Sequence, residues 1–324
     1  MRKMVSAVVA FALTGAQVLA NDSEAELAAG GLVLKKTYDI EMKSEDLSIS
    51  AERVRVKYQF LNSSSKDIST VIAFPLPDIT VEQDANMAVP SAGTDNFLDF
   101  STSVDGKPVK MTLEQKVFAR GVDQTLLIRA LQLPRSPLVA GEALDRLDPK
   151  AKEELINLGL AETQDIDVGK GIERHLAPLW TLKTTYYWTQ AFPAKTVLNV
   201  EHKYTPSVGG SVGTTIGLPS IDPETLTYYK TRYCTDASFI AAARAKNNAF
   251  TEEWISYVLT TGANWAKPIG TFTLTVDKGA PLNLLSFCGE GVEKIGPTKF
   301  QMTKSDYTPA TDLHILILKP QERD

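Results

Sequence analysis

Apolar and polar side chains alternate strictly along residues 53–60, and this alternation constrains the fold more than any other feature of the chain. The apolar positions are Val54, Val56, Tyr58 and Phe60, and the polar positions are Arg53, Arg55, Lys57 and Gln59. A period of two puts each set on its own face of a strand, which is typical of a half-buried antiparallel sheet. Residues 62–67 indicate a turn, and 70–74 supplies a second apolar run. We therefore predict a hairpin of 53–60 with 70–74.

Short strand patterns recur along the chain and are separated by turn residues. We predict another strand pair, 109–118 with 124–133, after the Asp105-Gly106 turn. Further alternating or apolar runs occur at 182–188, 198–204, 271–276 and 313–318. Many short strands between turns favour a sandwich over alternating βαβ units. The predicted fold class is mainly β, a two-lobed antiparallel β-sandwich with a short helical insertion.

A helical segment interrupts the strand patterns. Asp148 is a good N-cap before a proline, and Gly159 suits the left-handed residue that ends a helix. We predict a helical insertion or linker at 142–170. It would separate an N-terminal β-sandwich lobe at 21–141 from a C-terminal β-rich lobe at 171–324.

The first twenty residues have the order of a secretory signal peptide. Arg2 and Lys3 form a positive start, residues 4–15 are apolar, and small residues precede a cleavage site between Ala20 and Asn21. The stretch is too short for a stable membrane span. We predict that residues 1–20 are a signal peptide and that the mature protein is exported.

Charge and hydropathy exclude two classes of partner. The formal net charge is −5, from 34 lysines and arginines against 39 aspartates and glutamates, without a basic block. This balance argues against binding to nucleic acid or to anionic lipid. After residue 20, no apolar run approaches the roughly 18 residues that a spanning helix needs. We therefore predict a soluble protein without a transmembrane segment once the signal is removed.

Two cysteines, Cys234 and Cys288, make up the thiol content of the chain. In an oxidising compartment an isolated pair indicates a disulfide first. Two free thiols, a redox pair and a metal pair are the alternatives. Redox chemistry would be supported by a CxxC motif, which the chain lacks, and two thiolates without clustered histidines make a poor zinc site.

Motifs for catalysis or metal binding are weak. His175, His202 and His314 have no HxH or HExxH spacing, so packed imidazoles are the simpler interpretation. Asp165 and Asp167 resemble the start of a calcium loop, although a solvated acidic turn is the simpler interpretation. We predict no catalytic residue, no metal and no cofactor.

Aromatic side chains are the one feature of the sequence that indicates a surface for a ligand or a partner. Neighbours in a strand point to opposite faces, so Tyr187 and Trp188 cannot both face one core. Exposed rings stack on sugars or bury against a partner. The alternative is an inter-domain core. The predicted ligand or partner surface consists of Trp180, Tyr187, Trp188 and Trp265.

Long phrases of the chain resemble one exported proteobacterial family, named domain of unknown function 4424. They are NDSEAELAAGGLVL, VRVKYQFLNSSSKDISTVIAFPLPDI, YYWTQAFPAKTVLNVEHKYTPSVGGS, TGANWAKPIGTFTLTVDKG and SFCGEGVEKIGPTKF. The resemblance covers essentially the whole mature chain. It implies a periplasmic or secreted bacterial protein in which Cys234 and Cys288 belong to the family pattern. It implies no reaction and no catalytic residue.

These observations predict an exported, non-enzymatic binding or envelope-interaction protein. Its partner would be an envelope protein or a glycan. The alternatives are a carbohydrate-active or carbohydrate-binding β-sandwich protein, and a structural component that self-associates.

Overall fold

The computed structural model describes residues 22–28, 31–81, 86–91, 93–245 and 249–321. The predicted signal peptide at 1–20 and its cleavage site between Ala20 and Asn21 lie outside the described residues. Both stay predictions.

Strands make up most of the regular structure. The first twelve are β1 Ser23–Ala28, β2 Gly31–Lys35, β3 Ile40–Ile49, β4 Val54–Asn62, β5 Ile68–Pro75, β6 Asn86–Ala88, β7 Ser101–Val104, β8 Lys107–Pro108, β9 Thr112–Ala119, β10 Val122–Asp123, β11 Ala161–Asp167 and β12 Ile172–Pro178. The others are β13 Thr181–Phe192, β14 Val197–Tyr204, β15 Val208–Ser211, β16 Phe250–Tyr257, β17 Ile269–Asp277, β18 Leu284–Phe287, β19 Glu293–Lys294, β20 Lys299–Tyr307 and β21 Leu313–Pro320.

Helices occur in two groups along the sequence. The first group is α1 Thr125–Ala130, α2 Gly141–Asp145 and α3 Pro149–Asn157, and the second is α4 Pro223–Tyr233 and α5 Ala237–Ala245. Two short 3₁₀ turns lie at Pro137–Val139 and Thr260–Asn264.

An eight-stranded sheet forms one layer, in the order β19-β20-β17-β3-β4-β14-β7-β8. Its pairings are antiparallel, apart from the parallel pair of β3 and β17. In β4 the apolar positions are buried and the polar ones exposed in alternation, as the sequence predicts. The buried face of this sheet therefore supplies one wall of the main core.

A six-stranded sheet, β10-β9-β13-β5-β1-β2, and a five-stranded sheet, β18-β21-β16-β15-β6, supply the other side of the main core. One continuous cluster of buried side chains collects residues from all three sheets, among them Tyr58, Leu274, Phe74, Trp188, Ile255 and Ile315. This confirms the mainly β, antiparallel sandwich class. Among the described residues, no helix has the length and apolar character to cross a membrane.

The predicted hairpin of 53–60 with 70–74 is wrong. Strand β4 pairs with β3 and β14, whereas β5 pairs with β1 and β13 in the six-stranded sheet. The Asn62 amide donates to the carbonyls of Lys66 and Phe192, both at 2.8 Å, and holds the connection against the end of β13. Alternation fixes which face of a strand is buried, but it does not select the partner strand.

The predicted strand at 124–133 is also wrong, because α1 occupies Thr125–Ala130 and only Val122–Asp123 pairs with β9. Asp123 Oδ1 accepts hydrogen bonds from the Thr125 backbone N–H at 2.9 Å and from its hydroxyl at 2.6 Å. This Asx turn lies where the chain leaves the sheet and enters α1. Ile128 then packs into a second, smaller core that α1–α3 share with β9, β11 and β12.

Helix α3 begins and ends as the sequence predicts. Asp148 accepts hydrogen bonds from the backbone N–H groups of Lys150 and Ala151, both at 3.0 Å. Gly159 has a φ of +70°, and the Leu160 N–H returns to the Leu155 carbonyl at 2.8 Å. The helix and β11 lie within the predicted insertion at 142–170. Strand β13 of the predicted C-terminal lobe pairs with β5 and β9 of the predicted N-terminal lobe in one sheet. The division into 21–141, 142–170 and 171–324 stays a prediction.

A carboxylate and an imidazole meet at the centre of the main core. Both oxygens of Asp22 lie 3.0 Å from His202 Nε2, and His202 Nδ1 lies 2.7 Å from the Thr102 hydroxyl. Asp22 and His202 are fully buried. Burial raises the pKa of Asp22, and His202 opposes that effect. The pair joins the segment that leads into β1 to β14, and His202 is a packed core histidine.

His175 connects the smaller core to the β11–β12 hairpin. Its Nδ1 lies 2.7 Å from Asp145 Oδ2 at the end of α2, and Asp145 Oδ1 accepts the Leu176 N–H at 2.9 Å. The hydrogen bond to Asp145 raises the pKa of His175. Burial raises the pKa of Asp145, but the hydrogen bonds from His175 and Leu176 outweigh it and leave that pKa lowered.

These shifts predict a pH-dependent contribution to stability. Because the pKa of His175 is raised in the folded state, its contact with Asp145 stabilises the fold fully below the unfolded-state pKa of about 6.5. This contribution is lost as pH rises through the folded-state pKa. The lowered pKa of Asp145 adds stability above about 3.9 that is lost in acid. We expect the substitution His175→Gln to lower Tm more at pH 5.5 than at pH 9, as measured by calorimetry. Asp145→Asn is the matched control and should show the same pattern; equal losses at both pH values would contradict the assignment.

Candidate functional site

A cleft of about 690 Å³ lies between α4 and the start of β21. Its size falls within the range of about 300–1,000 Å³ that is typical of small-molecule sites. Helix α4 contributes Glu224, Thr227, Tyr228, Thr231 and Arg232. The opposite side consists of Cys288, Thr311, Asp312 and His314. Carbon atoms of these side chains form most of the exposed lining, and charged and polar groups stand among them. Ligand pockets commonly combine apolar surface with a few polar groups.

Helix α4 presents a continuous face to this cleft because its lining residues follow the helical repeat. They stand at i, i+3, i+4, i+7 and i+8 from Glu224, and so lie on one side of the helix. Asp222 caps the helix by accepting the Thr225 N–H at 2.8 Å, and Pro223 occupies the first turn. The sequence thus specifies where the helix begins and which side faces the cleft.

The other face of α4 is anchored in the core by a buried carboxylate. Tyr229 donates its hydroxyl to Glu252 on β16, at 2.8 and 2.9 Å from the two oxygens. The Trp254 indole N–H donates to the same carboxylate at 2.7 Å. Burial and the charge of Glu252 raise the pKa of Tyr229, so the phenol stays a donor. Tyr233 packs beside Tyr229 in the third core cluster.

The disulfide anchors the end of the same helix. Cys234 follows the last residue of α4 and is bonded to Cys288, which follows β18. This confirms the predicted bridge. Cys234 has a φ of +54°, the left-handed conformation that glycine usually adopts at a helix end. A cysteine here connects the helix terminus to the wall of the cleft.

Arg232 supplies the positive charge of the cleft. Its guanidinium carbon lies 5.8 Å from the ring centroids of both Tyr228 and Tyr233. Arg232 Nε is buried and has no hydrogen-bond partner among the described residues. No ion pair joins Arg232 to a carboxylate in the described part of the chain. A guanidinium without a counter-ion is therefore built into the cleft wall.

His314 lies across the cleft and is neutral at physiological pH. Its Nδ1 is 2.9 Å from the Ser256 hydroxyl on the neighbouring strand. Burial, together with the positive charge of Arg232, lowers the pKa of His314 to about 4, and Asp312 opposes this only in part. A serine and a histidine in contact are elements of a nucleophile–base pair. An imidazole with so low a pKa is a weak general base at neutral pH.

The two acidic residues of the cleft are placed differently. Asp312 Oδ1 accepts hydrogen bonds from the backbone N–H of Leu259 at 3.1 Å and of Thr260 at 3.2 Å, and from the Thr260 hydroxyl at 2.9 Å. It therefore orders the 3₁₀ turn beside the cleft. Glu224 lies in the first turn of α4, at the end opposite Arg232.

The aromatic residues predicted as a ligand surface do not come together. Trp180 is buried in the smaller core, while Trp188 and Trp265 are buried in the main core. These three rings pack inside the cores rather than on an open surface; Trp180, for example, donates its N–H to the Arg135 carbonyl at 2.8 Å. Tyr187 is partly exposed on β13. A ligand role for Tyr187 stays a prediction.

The acidic turn considered for calcium uses its carboxylates within the hairpin. Arg174 donates to both oxygens of Asp165, at 2.9 and 3.3 Å. Asp167 Oδ1 accepts the Gly169 N–H at 2.8 Å. Among the described residues, no group of three or more His, Cys, Asp or Glu side chains is arranged to hold a metal.

Sequence reasoning missed the residues of the cleft. The spacing of positions 224–232 behind an Asp-Pro start is a readable signal for the α4 face. His314 and Cys288 reach the cleft through strand pairing and the disulfide, and no local pattern indicates their proximity to Arg232.

The fold and the cleft define a mainly β protein with a small-molecule-sized pocket. The chain belongs to the family described as Domain of unknown function (DUF4424), which matches residues 20–316. A crystal structure of a candidate nutrient binding protein from Legionella pneumophila subsp. pneumophila strain Philadelphia 1 is similar to it. The two chains are 15% identical, with a TM-score of 0.45 and coverage of 92% of this chain and 70% of that chain. Among curated proteins, none matches the chain.

The anchoring of α4 predicts a large effect of removing the disulfide. The bridge closes a loop with a sequence separation of 54 residues, which corresponds to about 4 kcal/mol in the chain-entropy model and to about 2–5 kcal/mol in practice. We expect the double substitution Cys234→Ala, Cys288→Ala to lower the free energy of unfolding in urea by this amount. Reduced wild-type protein is the control and should match the variant. Unchanged stability in both would contradict the prediction.

Proposed function

We propose that this protein is an exported, non-enzymatic binding protein that holds a small, largely apolar ligand in the cleft between α4 and β21. The observation that carries the proposal is the cleft itself, with a mainly apolar lining and polar groups at Arg232 and His314. Apolar surface with a few convergent polar groups, together with a titratable group whose pKa is strongly perturbed, is typical of a binding site.

Export is supported by three features. The first twenty residues have the pattern of a signal peptide. The family match begins at residue 20, where that pattern ends. The disulfide belongs to an oxidising compartment. We therefore assign the protein to the periplasm or to the secreted fraction of a bacterium.

The sugar-binding alternative needed exposed rings at Tyr187, Trp188 and Trp265. Two of these three are buried. No observation favours a sugar platform over the cleft, and the proposal keeps a small molecule rather than a glycan as the ligand.

A neutral probe tests the proposal without assuming the ligand. N-Phenyl-1-naphthylamine fluoresces when it enters an apolar site, and we expect saturable binding to the wild-type protein. Thr231→Trp places an indole in the cleft and should weaken probe binding at least about tenfold, since it fills the volume that the probe needs.

Thr303→Trp is the matched control, because Thr303 is exposed on β20, away from the cleft. It should leave the affinity for the probe unchanged. No saturable binding, or equal binding to the wild-type and Thr231→Trp proteins, would contradict the proposal.

A further inference from the structure

We infer that the ligand of the cleft carries a carboxylate, which the Arg232 guanidinium binds, on an apolar body that lies along α4 beside Tyr228. This inference rests on the proposed function and specifies the chemical class of the ligand. Four observations carry it.

The first observation is the uncompensated charge of Arg232. The guanidinium lies against two tyrosine rings, and no described carboxylate forms an ion pair with it. Its Nε–H is removed from water without a hydrogen-bond acceptor. A buried donor on a charged group is costly to leave unpaired. A carboxylate fits the planar fork of a guanidinium and would supply the missing acceptor.

The second observation is that His314 does not compete for this role. Its ring is neutral, and the Ser256 hydroxyl occupies its Nδ1. Nε2 has no hydrogen-bond partner among the described residues. A neutral imidazole adds one hydrogen bond to a ligand but no attraction for an anion. The charge selectivity of the cleft therefore depends on Arg232.

The third observation is the polarity along α4. Glu224 lies eight residues before Arg232, which corresponds to about 12 Å along a helix. An anionic group is repelled at the Glu224 end and attracted at the Arg232 end. Asp312 uses Oδ1 for three hydrogen bonds to the neighbouring turn. Of the charged side chains that line the cleft, Arg232 is therefore the one that attracts a carboxylate.

The fourth observation is the apolar character between these ends. Tyr228 is half exposed and presents its ring to the cleft, and the disulfide sulfur of Cys288 forms part of the same wall. The threonines on the α4 face contribute methyl groups as well as hydroxyls. This surface accommodates an alkyl or aryl body better than a polar one.

Three eight-carbon probes test the inference by calorimetry on the oxidised mature protein: octanoate, octylamine and 1-octanol. We expect octanoate to bind more tightly than 1-octanol by a factor between about ten and about one hundred, the range for a hydrogen bond to a charged group. Octylamine should bind more weakly than 1-octanol, because its ammonium would face Arg232.

The substitution Arg232→Gln should remove the preference for octanoate and leave 1-octanol affinity unchanged. Lys230→Gln is the matched control: it removes a positive charge from the same helical turn, but Lys230 does not line the cleft. Its octanoate affinity should equal that of the wild type. If Arg232→Gln does not fold, Arg232→Lys serves instead, and it should weaken octanoate binding while leaving 1-octanol unaffected.

The outcomes separate this inference from the proposed function. Octylamine or 1-octanol binding as tightly as octanoate, or an Arg232 variant with wild-type preference, would overturn the carboxylate assignment while the naphthylamine probe still occupies the cleft. Loss of all probe binding would instead overturn the proposed function.

Discussion

The attachment of helix α4 to the five-stranded sheet is the constraint on which the cleft depends. Glu252 is buried on β16 and accepts hydrogen bonds from Tyr229 and Trp254. A buried carboxylate is costly unless it is paired and hydrogen-bonded, so these donors hold the helix at a fixed height above the sheet. The disulfide from Cys234 to Cys288 fixes the helix end. The Glu252 anchor acts on the side of α4 away from the cleft, whereas the disulfide joins the end of the helix to the cleft wall.

The polar groups of the molecule divide into two kinds. In the main core, Asp22 and His202 satisfy each other, and the Tyr58 and Tyr257 hydroxyls meet at 3.1 Å. Removing one partner of either contact would leave a buried polar group unsatisfied, at a cost of about 1–3 kcal/mol. Arg232 differs because no carboxylate of the described residues forms an ion pair with it, although its guanidinium lies against the rings of Tyr228 and Tyr233. For this reason we propose the cleft, rather than the buried Asp22–His202 pair, as the ligand site.

Local patterns predicted much of the secondary structure, because they depend on neighbours in sequence. The alternation at 53–60 and the Asp148 and Gly159 caps give β4 and α3 as observed. The same patterns gave the wrong partner for β4. Strands of both sheet layers bury apolar side chains in alternation, so the alternation does not identify the partner strand. The apolar residues of 124–133 are compatible with a strand or with a helix, and we predicted a strand. In the structure, the hydrogen bond between Asp123 and Thr125 precedes a helix.

The site could be predicted only in part. The two cysteines and the predicted signal peptide indicated the disulfide. The aromatic residues indicated a surface, but packing places three of the four rings inside the cores. The α4 face has a readable helical spacing, but its meaning depends on Arg232 lacking a carboxylate partner. That property belongs to the tertiary structure, because it depends on which side chains the sheets bring near position 232. No local pattern carries this information.

Crystals soaked with 8-bromooctanoate would show both ends of one ligand, because the bromine gives an anomalous peak and the electron density shows the carboxylate. We expect a bromine peak in the cleft beside α4, with the carboxylate within about 3.2 Å of the Arg232 guanidinium. A bromine peak outside this cleft, or a ligand in it whose carboxylate points away from Arg232, would contradict the account.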